Sequence, residues 1–266
     1  MDKKERLSPE EIKQISLDIL KDVASFCDDH HIRYYLACGT LLGAVKYQGF
    51  IPWDDDIDIM MPRPDYKQFI ESYGSEKYRV LKPSAGMFFY AKVYDTETLE
   101  EEVGIDYRKN RPIGVNIDVF PLDGIVNDEK TVERKRKTSS FLETLLRLSN
   151  QPIFYRKNRL KAINRIIPRI IGSRNLVRMI EKNASQYDYD SSDYVIRYKD
   201  TPNGFTGALN RQVYEKTEDL SFEGYRFHVP AGYDEWLKRF YGNDYLIRTP
   251  AAEERRSHQR VSYRKD

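Results

Sequence analysis

The sequence has few cysteines, no long apolar run and almost no net charge. Cys27 and Cys38 are its only cysteines, too few for a disulfide framework or for a zinc site built mainly from thiolates. No stretch approaches the roughly 18 apolar residues that mark a membrane span. Residues 1–6 lead into a polar helix signal without the apolar segment of a signal peptide. These absences predict a cytoplasmic protein that does not cross the membrane.

The charges balance overall but are separated along the chain. The 44 Lys and Arg residues against 42 Asp and Glu residues leave a net charge of +2 over 266 residues. The positive field typical of nucleic-acid-binding proteins is therefore missing, and we expect no nucleic-acid partner. Residues 1–128 contain 16 basic and 24 acidic residues, whereas residues 129–182 contain 15 and 4. A strongly basic segment thus follows an acidic one.

The hydrophobic pattern predicts an α/β (α+β) protein with a mixed sheet and flanking helices. Ser8-Pro9-Glu10-Glu11 has the form of a capping box and predicts a helix over about residues 8–30. Short strand-like runs follow at residues 34–37, 78–81, 88–94 and 115–120. We expect the last of these strands to close at Pro121 and to be followed by a turn at Asp123-Gly124.

An acidic cluster stands where the next strand is expected. Asp56 and Asp58 alternate with isoleucines in residues 54–59, which predicts a strand with both carboxylates on one face, joined by Asp54 if the strand starts early. Carboxylates about 7 Å apart repel each other unless a cation lies between them. Asp118 likewise lies between apolar residues, Ile117 and Val119, in a predicted strand. Three such groups favour Mg²⁺ (or Mn²⁺) and phosphoryl chemistry, the alternative being a solvated acidic turn.

Upstream, Gly39 and Thr40 form a turn into a short helix. A glycine and a hydroxyl residue at such a position present backbone N–H groups and the positive end of the helix dipole to an anion. The alternative is an ordinary tight turn. Together with the acidic cluster, the pattern predicts a phosphate-binding turn that faces a metal site.

Residues 41–58, which read LLGAVKYQGFIPWDDDID, closely resemble the signature of the LicD family. Members of this family include bacterial phosphocholine transferases and, more distantly, animal fukutin-related proteins. Residues 117–123 are similar to the family's third-Asp block, and residues 241–245 with Pro250 and His258 to its C-terminal block. One departure is Lys46, where relatives often have arginine, so the bidentate phosphate geometry of arginine is lost.

The resemblance implies a nucleotidyltransferase-like fold and the transfer of a phospho-alcohol to a sugar hydroxyl of a cell-surface glycan precursor, teichoic acid included. The donor would be a CDP-alcohol, with phosphocholine, ribitol phosphate or glycerol phosphate transferred and CMP released. Metal-binding and catalytic roles then fall on Asp56, Asp58 and Asp118. Residues 1–128 would be the catalytic core, and residues 183–266 would complete the catalytic domain and the substrate site.

Six further residues are candidates for supporting roles. Lys46 and Lys92 could bind the donor phosphates, and for Lys92 the alternative is an exposed strand lysine. Trp53 could stack on a base or on a choline ammonium, or it could pack in the core. Asp54 could join the acidic cluster. Asp123 could support the site, but a turn residue is the favoured interpretation. His258 could carry a proton or bind substrate.

The basic segment, residues 129–182, is helical in pattern, with arginines interleaved with isoleucines and with Pro168 expected to kink or split a helix. One cationic face could lie on the inner surface of an anionic membrane, where a lipid-linked or polymeric saccharide acceptor would be found. The alternative is a helical subdomain whose arginines are solvated or paired with the acidic part of the chain.

Three other functions remain open from the sequence. A nucleotidyltransferase would keep the fold but transfer a nucleotide from an NTP to a small hydroxyl acceptor. A glycosyltransferase could use the Asp-Ile-Asp motif, but it would need neither the Gly39-Thr40 turn nor Asp118. A silent membrane-surface binding module would keep the acidic strand as a structural metal site.

Overall fold

The computed structural model of the chain describes residues 5–153, 163–198, 208–249 and 260–265. Within these ranges it shows a seven-stranded mixed sheet, two further strand pairs and flanking helices, which confirms the predicted α/β (α+β) class. The helices are α1 (Pro9–Asp29), α2 (Cys38–Tyr47), α3 (Arg63–Ser72), α4 (Glu129–Asn150), α5 (Ile163–Ile171), α6 (Ser173–Ala184) and α7 (Tyr233–Tyr241). Two short 3-10 helices lie at Pro83–Ala85 and Arg211–Tyr214. The strands are β1 (Tyr35–Leu36), β2 (Asp58–Pro62), β3 (Tyr78–Leu81), β4 (Ala91–Asp95), β5 (Thr98–Glu102), β6 (Asn116–Ile125), β7 (Tyr194–Ile196), β8 (Ala208–Asn210), β9 (Thr217–Phe222), β10 (Tyr225–Pro230) and β11 (Arg260–Arg264).

The sheet is organised around β6. Its main path runs β1-β2-β6-β4-β3, with β2 and β6 parallel and the other neighbours antiparallel. The far end of β6 pairs with β7, which in turn pairs with β8. Outside this sheet, β9 pairs with β10, and β5 pairs with β11. Strand β6 thus touches elements from both halves of the chain.

Helix α1 confirms the predicted capping box. Ser8 Oγ accepts a hydrogen bond from the backbone N–H of Glu11 at 3.2 Å, and Glu11 Oε2 accepts one from the backbone N–H of Ser8 at 2.9 Å. Pro9 stands at the first helical position, where no N–H is required. The apolar stripe of α1 contacts β4 and β6, so the helix covers one face of the sheet.

The predicted end of the β6 strand is wrong. Strand β6 continues through Pro121 to Ile125, and Asp123 and Gly124 pair with β7 instead of forming a turn. Because Asp118 N–H donates to Ile57 O on the β2 side, alternation points the missing N–H of Pro121 to the opposite side of the strand. There the β4 pairing has ended at Val119 and the β7 pairing has not begun, so no donor is needed.

The basic segment is helical in the part that the structure describes, as α4, α5 and α6. Pro168 lies inside α5. Helices α5 and α6 are separated by Gly172, whose φ of 84° suits glycine. The predicted cationic face is wrong for α5. Arg165 is only 6 % exposed and Arg169 bonds to Asp106, whereas Ile170 is 79 % exposed. The two arginines of α5 therefore point inward, whereas Ile166, Ile167 and Ile170 are exposed.

The main hydrophobic core draws on both ends of the described chain. It contains Leu20 and Val23 of α1, Ile59 of β2, and Trp236 and Leu237 of α7. The predicted boundaries at 128 and 182 stay a prediction. Within the described ranges, no helix combines the length and the apolar character needed to cross a bilayer.

Candidate active site

A row of three charged residues crosses the centre of the sheet. Asp58 at the start of β2 is directly opposite Asp118 of β6, and Asp118 is directly opposite Lys92 of β4. Directly paired residues of neighbouring strands point to the same face. The expected convergence of the two Asp-containing strands is therefore present, with a lysine as its third member.

The acidic cluster differs from the prediction in its backbone. Strand β2 begins only at Asp58, so Asp56 precedes the strand and does not share its face by alternation. Asp54, Asp56 and Asp58 nevertheless line one cavity. The position of Asp58 is fixed by its own backbone: its N–H donates to Thr40 Oγ1 at 2.9 Å, and its C=O accepts from Ala37 N–H at 2.9 Å.

The Asp58 carboxylate lies in an unfavourable environment for a negative charge. Its loss of solvent raises its pKa well above the usual range, and the nearby Asp56 and Asp118 carboxylates raise it further, while Arg197 and the Cys38 thiol act in the opposite direction. Burial also raises the pKa of the Cys38 thiol. A bound cation would relieve this repulsion.

The donor set fits a hard divalent cation in its chemistry, because Asp56, Asp58 and Asp118 offer carboxylate oxygens. Among the described residues, however, no group of three or more His, Cys, Asp or Glu side chains is already gathered in a metal-binding arrangement. Asp118 is held instead by Lys92, whose Nζ lies 2.6 Å from Asp118 Oδ1.

Lys92 is a buried cation bound to the sheet. Its Nζ also donates to Asn116 Oδ1 at 2.9 Å and lies 3.9 Å from Glu102 Oε1. Burial by itself would lower the pKa of Lys92, but Asp118 and Glu102 raise it, so the side chain stays charged. Lys92 lines the cavity, as a phosphate-binding residue must, yet the partners in this structure are side chains of the protein.

Gly39 and Thr40 belong to the first turn of α2 and not to a separate turn. Thr40 is 4 % exposed, and its hydroxyl accepts the Asp58 N–H, so its visible role is to fix the start of β2. Gly39 lines the cavity. A Cβ atom at Gly39 would stand 2.7 Å from Asp54 Oδ2. The glycine thus allows the Asp54 carboxylate to approach the helix.

Lys46 and Trp53 both line the same cavity. Lys46 Nζ donates to the backbone carbonyl of Arg248 at 2.7 Å, so it ties α2 to the chain beyond α7. The Trp53 ring meets the Tyr47 ring edge-on, with centroids 6.5 Å apart. Trp53 is half-buried on the cavity wall, where it remains accessible to a ligand.

Asp123 is a buried strand residue, and the favoured turn interpretation is wrong. It receives hydrogen bonds from Arg63 Nε at 2.6 Å and Arg63 Nη2 at 2.7 Å. This ion pair attaches the start of α3 to the end of β6. Asp123 does not line the cavity that holds Asp58. His258 lies outside the described residues.

The cavity has a volume of about 1150 Å³. Its floor carries the Asp58, Asp118 and Lys92 row, and its walls come from α2, the acidic cluster, the loop after β5, α4 and α7. Aromatic rings make up much of the lining, namely Tyr47, Trp53, Phe88, Phe89, Tyr90, Phe120, Trp236, Phe240, Tyr241 and Tyr245. A space of this size is large enough for a ligand the size of a nucleotide.

The sequence analysis missed the arginines that line the cavity, among them Arg197 and Arg260. Arg197 follows β7, is 5 % exposed, and stacks its guanidinium 5.1 Å from the Phe120 ring centre. Arg260 opens β11 and donates to the Asp55 carbonyl at 2.9 Å, with its guanidinium 3.0 Å from Asp55 Oδ1. Neither belongs to a local motif, so only the pairing of distant strands brings them to the cavity.

Residues 31–153 match the family model described as "LicD/FKTN/FKRP, nucleotidyltransferase domain". The match covers the acidic cluster, Lys92 and Asp118. Residues 31–153 are thus similar to a LicD domain. The described architecture of this segment runs from β1 through α4 and includes the complete charged row of the sheet.

Among curated proteins, the chain is similar to the lipopolysaccharide cholinephosphotransferase LicD of Haemophilus influenzae. The two are 28 % identical over 275 residues, which cover 97 % of this chain and 98 % of the relative. Shorter matches link this chain to uncharacterized proteins of Rickettsia typhi, at 38 % identity over 74 residues, and Rickettsia prowazekii, at 44 % over 64 residues. Each short match covers about a quarter of either chain.

Proposed function

We propose that this chain transfers a phospho-alcohol from a CDP-linked donor to a sugar hydroxyl of a cell-surface glycan precursor, with release of CMP. Phosphocholine is the first candidate group, and ribitol phosphate and glycerol phosphate are the alternatives. The observation that carries the proposal is the Asp58, Asp118 and Lys92 row in a segment that is similar to a LicD domain. Similarity along 97 % of the chain to a lipopolysaccharide cholinephosphotransferase supports choline as the alcohol.

The cavity contains groups that support such a transfer. Lys92 places a positive charge beside Asp118. This charge would stabilise the negative charge that develops on the phosphoryl oxygens during the transfer. The first turn of α2 has no side-chain cap, so its backbone N–H groups can donate to the donor diphosphate. When bound by Asp56, Asp58 and Asp118, Mg²⁺ or Mn²⁺ would supply charge neutralisation.

In this transfer the acceptor hydroxyl oxygen forms a bond to phosphorus while the bond from phosphorus to CMP breaks. Asp118 would stand nearest the incoming hydroxyl, because it lies in the middle of the row between Asp58 and Lys92. The aromatic lining, with Tyr47 and Trp53 beside the acidic cluster, would suit a quaternary ammonium group by cation–π attraction.

Product analysis tests the proposal. The chain is incubated with Mg²⁺ and, separately, with CDP-choline, CDP-ribitol, CDP-glycerol and CTP, and both CMP and pyrophosphate are measured. We expect CMP from a CDP-alcohol, with loss of the signal in EDTA and recovery on adding Mg²⁺ or Mn²⁺. Pyrophosphate from CTP would instead support a nucleotidyltransferase, which the description of the matching family model keeps as the second candidate.

We further propose that α5 places the protein on the inner surface of an anionic membrane. Helix α5 exposes three isoleucines, with Ile166 46 %, Ile167 64 % and Ile170 79 % exposed. The exposed row on the next helix is cationic and consists of Arg174, Arg178 and Lys182. Apolar residues combined with nearby cations are typical of helices that bind a membrane interface.

Vesicle co-sedimentation tests the membrane contact. We expect recovery with vesicles that contain phosphatidylglycerol, and not with phosphatidylcholine alone. Ile167→Asp combined with Ile170→Asp should abolish it, whereas Ile247→Asp, at another highly exposed isoleucine outside α5, should not. Equal recovery from both vesicle types, or unchanged binding of the double variant, would contradict a contact through α5.

A further inference from the structure

The cavity has two walls that lie on opposite sides of β6. The first, here called the α2 wall, consists of Gly39, Lys46, Tyr47 and Trp53. It belongs to the β2 side of the sheet, because α2 contacts β2 and Thr40 bonds to Asp58.

The second, here called the α4 wall, consists of residues 102–105 together with Ser140, Glu143, Thr144 and Arg147. It belongs to the β4 side of the sheet. Asn150 at the end of α4 donates to the carbonyls of Gly86 and Met87, on the chain that leads into β4, each at 3.1 Å. Glu102 approaches Lys92 of β4 to 3.9 Å. Since β6 lies between β2 and β4, Asp118 separates the two walls.

The α4 wall is polar because one face of α4 consists of polar residues. Ser140, Glu143, Thr144 and Arg147 recur at the spacing i, i+3, i+4 and i+7, which places them on one helical face. That face lines the cavity together with Leu146, and Leu142 and Leu146 belong to an apolar cluster with α6. A helix that needed only to cover the cavity would not require four polar side chains there.

Arg147 is the most accessible cation of this wall. It is exposed, and its guanidinium has no hydrogen bond or ion pair with any other residue in the described ranges. The carboxylates of Glu102 and Glu143 and the hydroxyls of Ser140 and Thr144 lie on the same wall, with the rings of Phe88 and Phe89 beside them. Hydroxyl, carboxylate, guanidinium and aromatic groups together match the hydroxyls and apolar faces of a sugar.

Direct phosphoryl transfer needs the attacking and leaving oxygens in line, on opposite sides of the phosphorus atom. If the donor lies along the α2 wall, the acceptor must approach from the β4 side of Asp118. We propose that the α4 wall is the acceptor subsite, that it binds a saccharide through its hydroxyl groups, and that Arg147 is its principal binding residue. This inference rests on the proposed function, which places the donor.

Saturation-transfer NMR tests the subsite without turnover. The probes are the methyl glycosides of glucose, galactose and N-acetylgalactosamine, each measured with Mg²⁺ and saturating CMP so that the donor side is filled. We expect at least one glycoside to bind, with an affinity at least tenfold lower in Arg147→Ala. Thr144→Val should weaken binding in the same direction. Arg134→Ala, at an exposed arginine of α4 outside the cavity, should bind like the wild type.

A variant of the α2 wall provides the opposite pattern. Lys46→Ala should lower the affinity for CMP and leave glycoside binding unchanged. Three results would overturn the α4 wall as an acceptor subsite. The first is displacement of the glycoside by CMP, and the second is equal glycoside affinity of the Arg147→Ala and Arg134→Ala variants. The third is no glycoside binding by the wild type. Glycoside binding without CMP release from any CDP-alcohol would overturn the proposed function and leave this subsite in place. CMP release from a CDP-alcohol without glycoside binding would overturn this subsite and leave the proposed function in place.

Discussion

Asp58 of β2 and Asp118 of β6 are directly paired in the parallel part of the sheet, and the Lys92 ammonium is bound to Asp118 at 2.6 Å. Two carboxylates and one cation therefore share the floor of a large cavity. The pair is separated in sequence by the whole β3 to β5 region, which carries Lys92 into the row. This relationship links the acidic cluster, the segment similar to a LicD domain and the proposed phosphoryl transfer.

Replacing Asp58 or Asp118 by Asn should reduce turnover by about 10² to 10³-fold, because a charged oxygen ligand is removed from the reacting centre. Both variants should fold, but Asp118→Asn should melt lower than the wild type because it removes the charge that pairs with the buried Lys92. Asp58→Asn should melt no lower than the wild type, since Asp58 loses solvent and is repelled by its neighbours. CMP release and thermal melting measure the two effects. Asp29→Asn, at an exposed position, is the control, and full activity of either site variant would contradict the site.

Lys92→Met separates two roles of this lysine. If Lys92 acts through Asp118, as their 2.6 Å contact indicates, kcat should fall and the KM for the donor should change little. If it binds the donor phosphates, as the sequence suggested, the donor KM should rise. Steady-state kinetics with varied CDP-alcohol decides between them, and Lys92→Arg should restore part of kcat only where charge beside Asp118 is the requirement.

Gly39→Ala should reduce turnover by about 10- to 100-fold through a shift of the Asp54 carboxylate. The added Cβ would stand 2.7 Å from Asp54 Oδ2, and the acidic side chain must move. Alanine is the better helix former, so we expect no large loss of stability. Gly74→Ala is the matched control, because a Cβ there meets nothing within 4 Å. Wild-type activity of Gly39→Ala would show that the position of Asp54 is unimportant.

Asp123→Ala should lower the free energy of unfolding by about 3–5 kcal/mol, because it leaves the Arg63 guanidinium buried without its partner. The Arg63–Asp123 pair is shielded from solvent, and Arg63 Nε and Nη2 donate to the Asp123 carboxylate at 2.6 and 2.7 Å. Urea denaturation measures the change. Lys77→Ala, which removes the exposed Lys77–Glu97 pair, should cost below about 1 kcal/mol. A cost for Asp123→Ala as small as that of the control would show that the buried pair contributes little.

Stability in acid should depend on Asp106. The Arg108 hydrogen bond, assisted by Arg169, lowers the pKa of Asp106 to about 2, against about 3.9 for an unfolded Asp. The contribution is therefore complete above about pH 4 and is lost as the pH falls toward 2. Asp106→Asn should be less stable at pH 5 and should lose less stability between pH 4 and pH 2 than the wild type. If urea denaturation gave the same change in the free energy of unfolding between pH 4 and pH 2 for Asp106→Asn and for the wild type, this assignment would be contradicted.

Local patterns predicted much of the fold correctly. The capping box at Ser8 and the apolar stripe behind it are sufficient to place α1, because both depend on residues within a few turns of each other. The β6 prediction failed at Pro121 for the opposite reason. Whether a proline ends a strand depends on what lies beside it, and here β6 changes neighbours at that residue.

The same distinction applies to the arginines of α5. The alternation of Arg and Ile predicts an amphipathic helix, but it cannot say which face is buried. Arg169 finds Asp106 and Gln151 O at 2.7 and 2.6 Å, and these polar partners draw the cationic face inward. Ile166, Ile167 and Ile170 are then left at the surface.

The sequence by itself determined the helix at the N-terminus, the acidic cluster, the third aspartate and their resemblance to the LicD family, because each is a short run with its own chemistry. Tertiary structure decided which groups face one another. It placed Asp58 opposite Asp118, attached Lys92 to the carboxylate, buried Asp123 against Arg63, and brought Arg197 and Arg260 to the cavity. The reason is physical: strand pairing joins residues far apart in the chain, and burial then determines which charges must find partners.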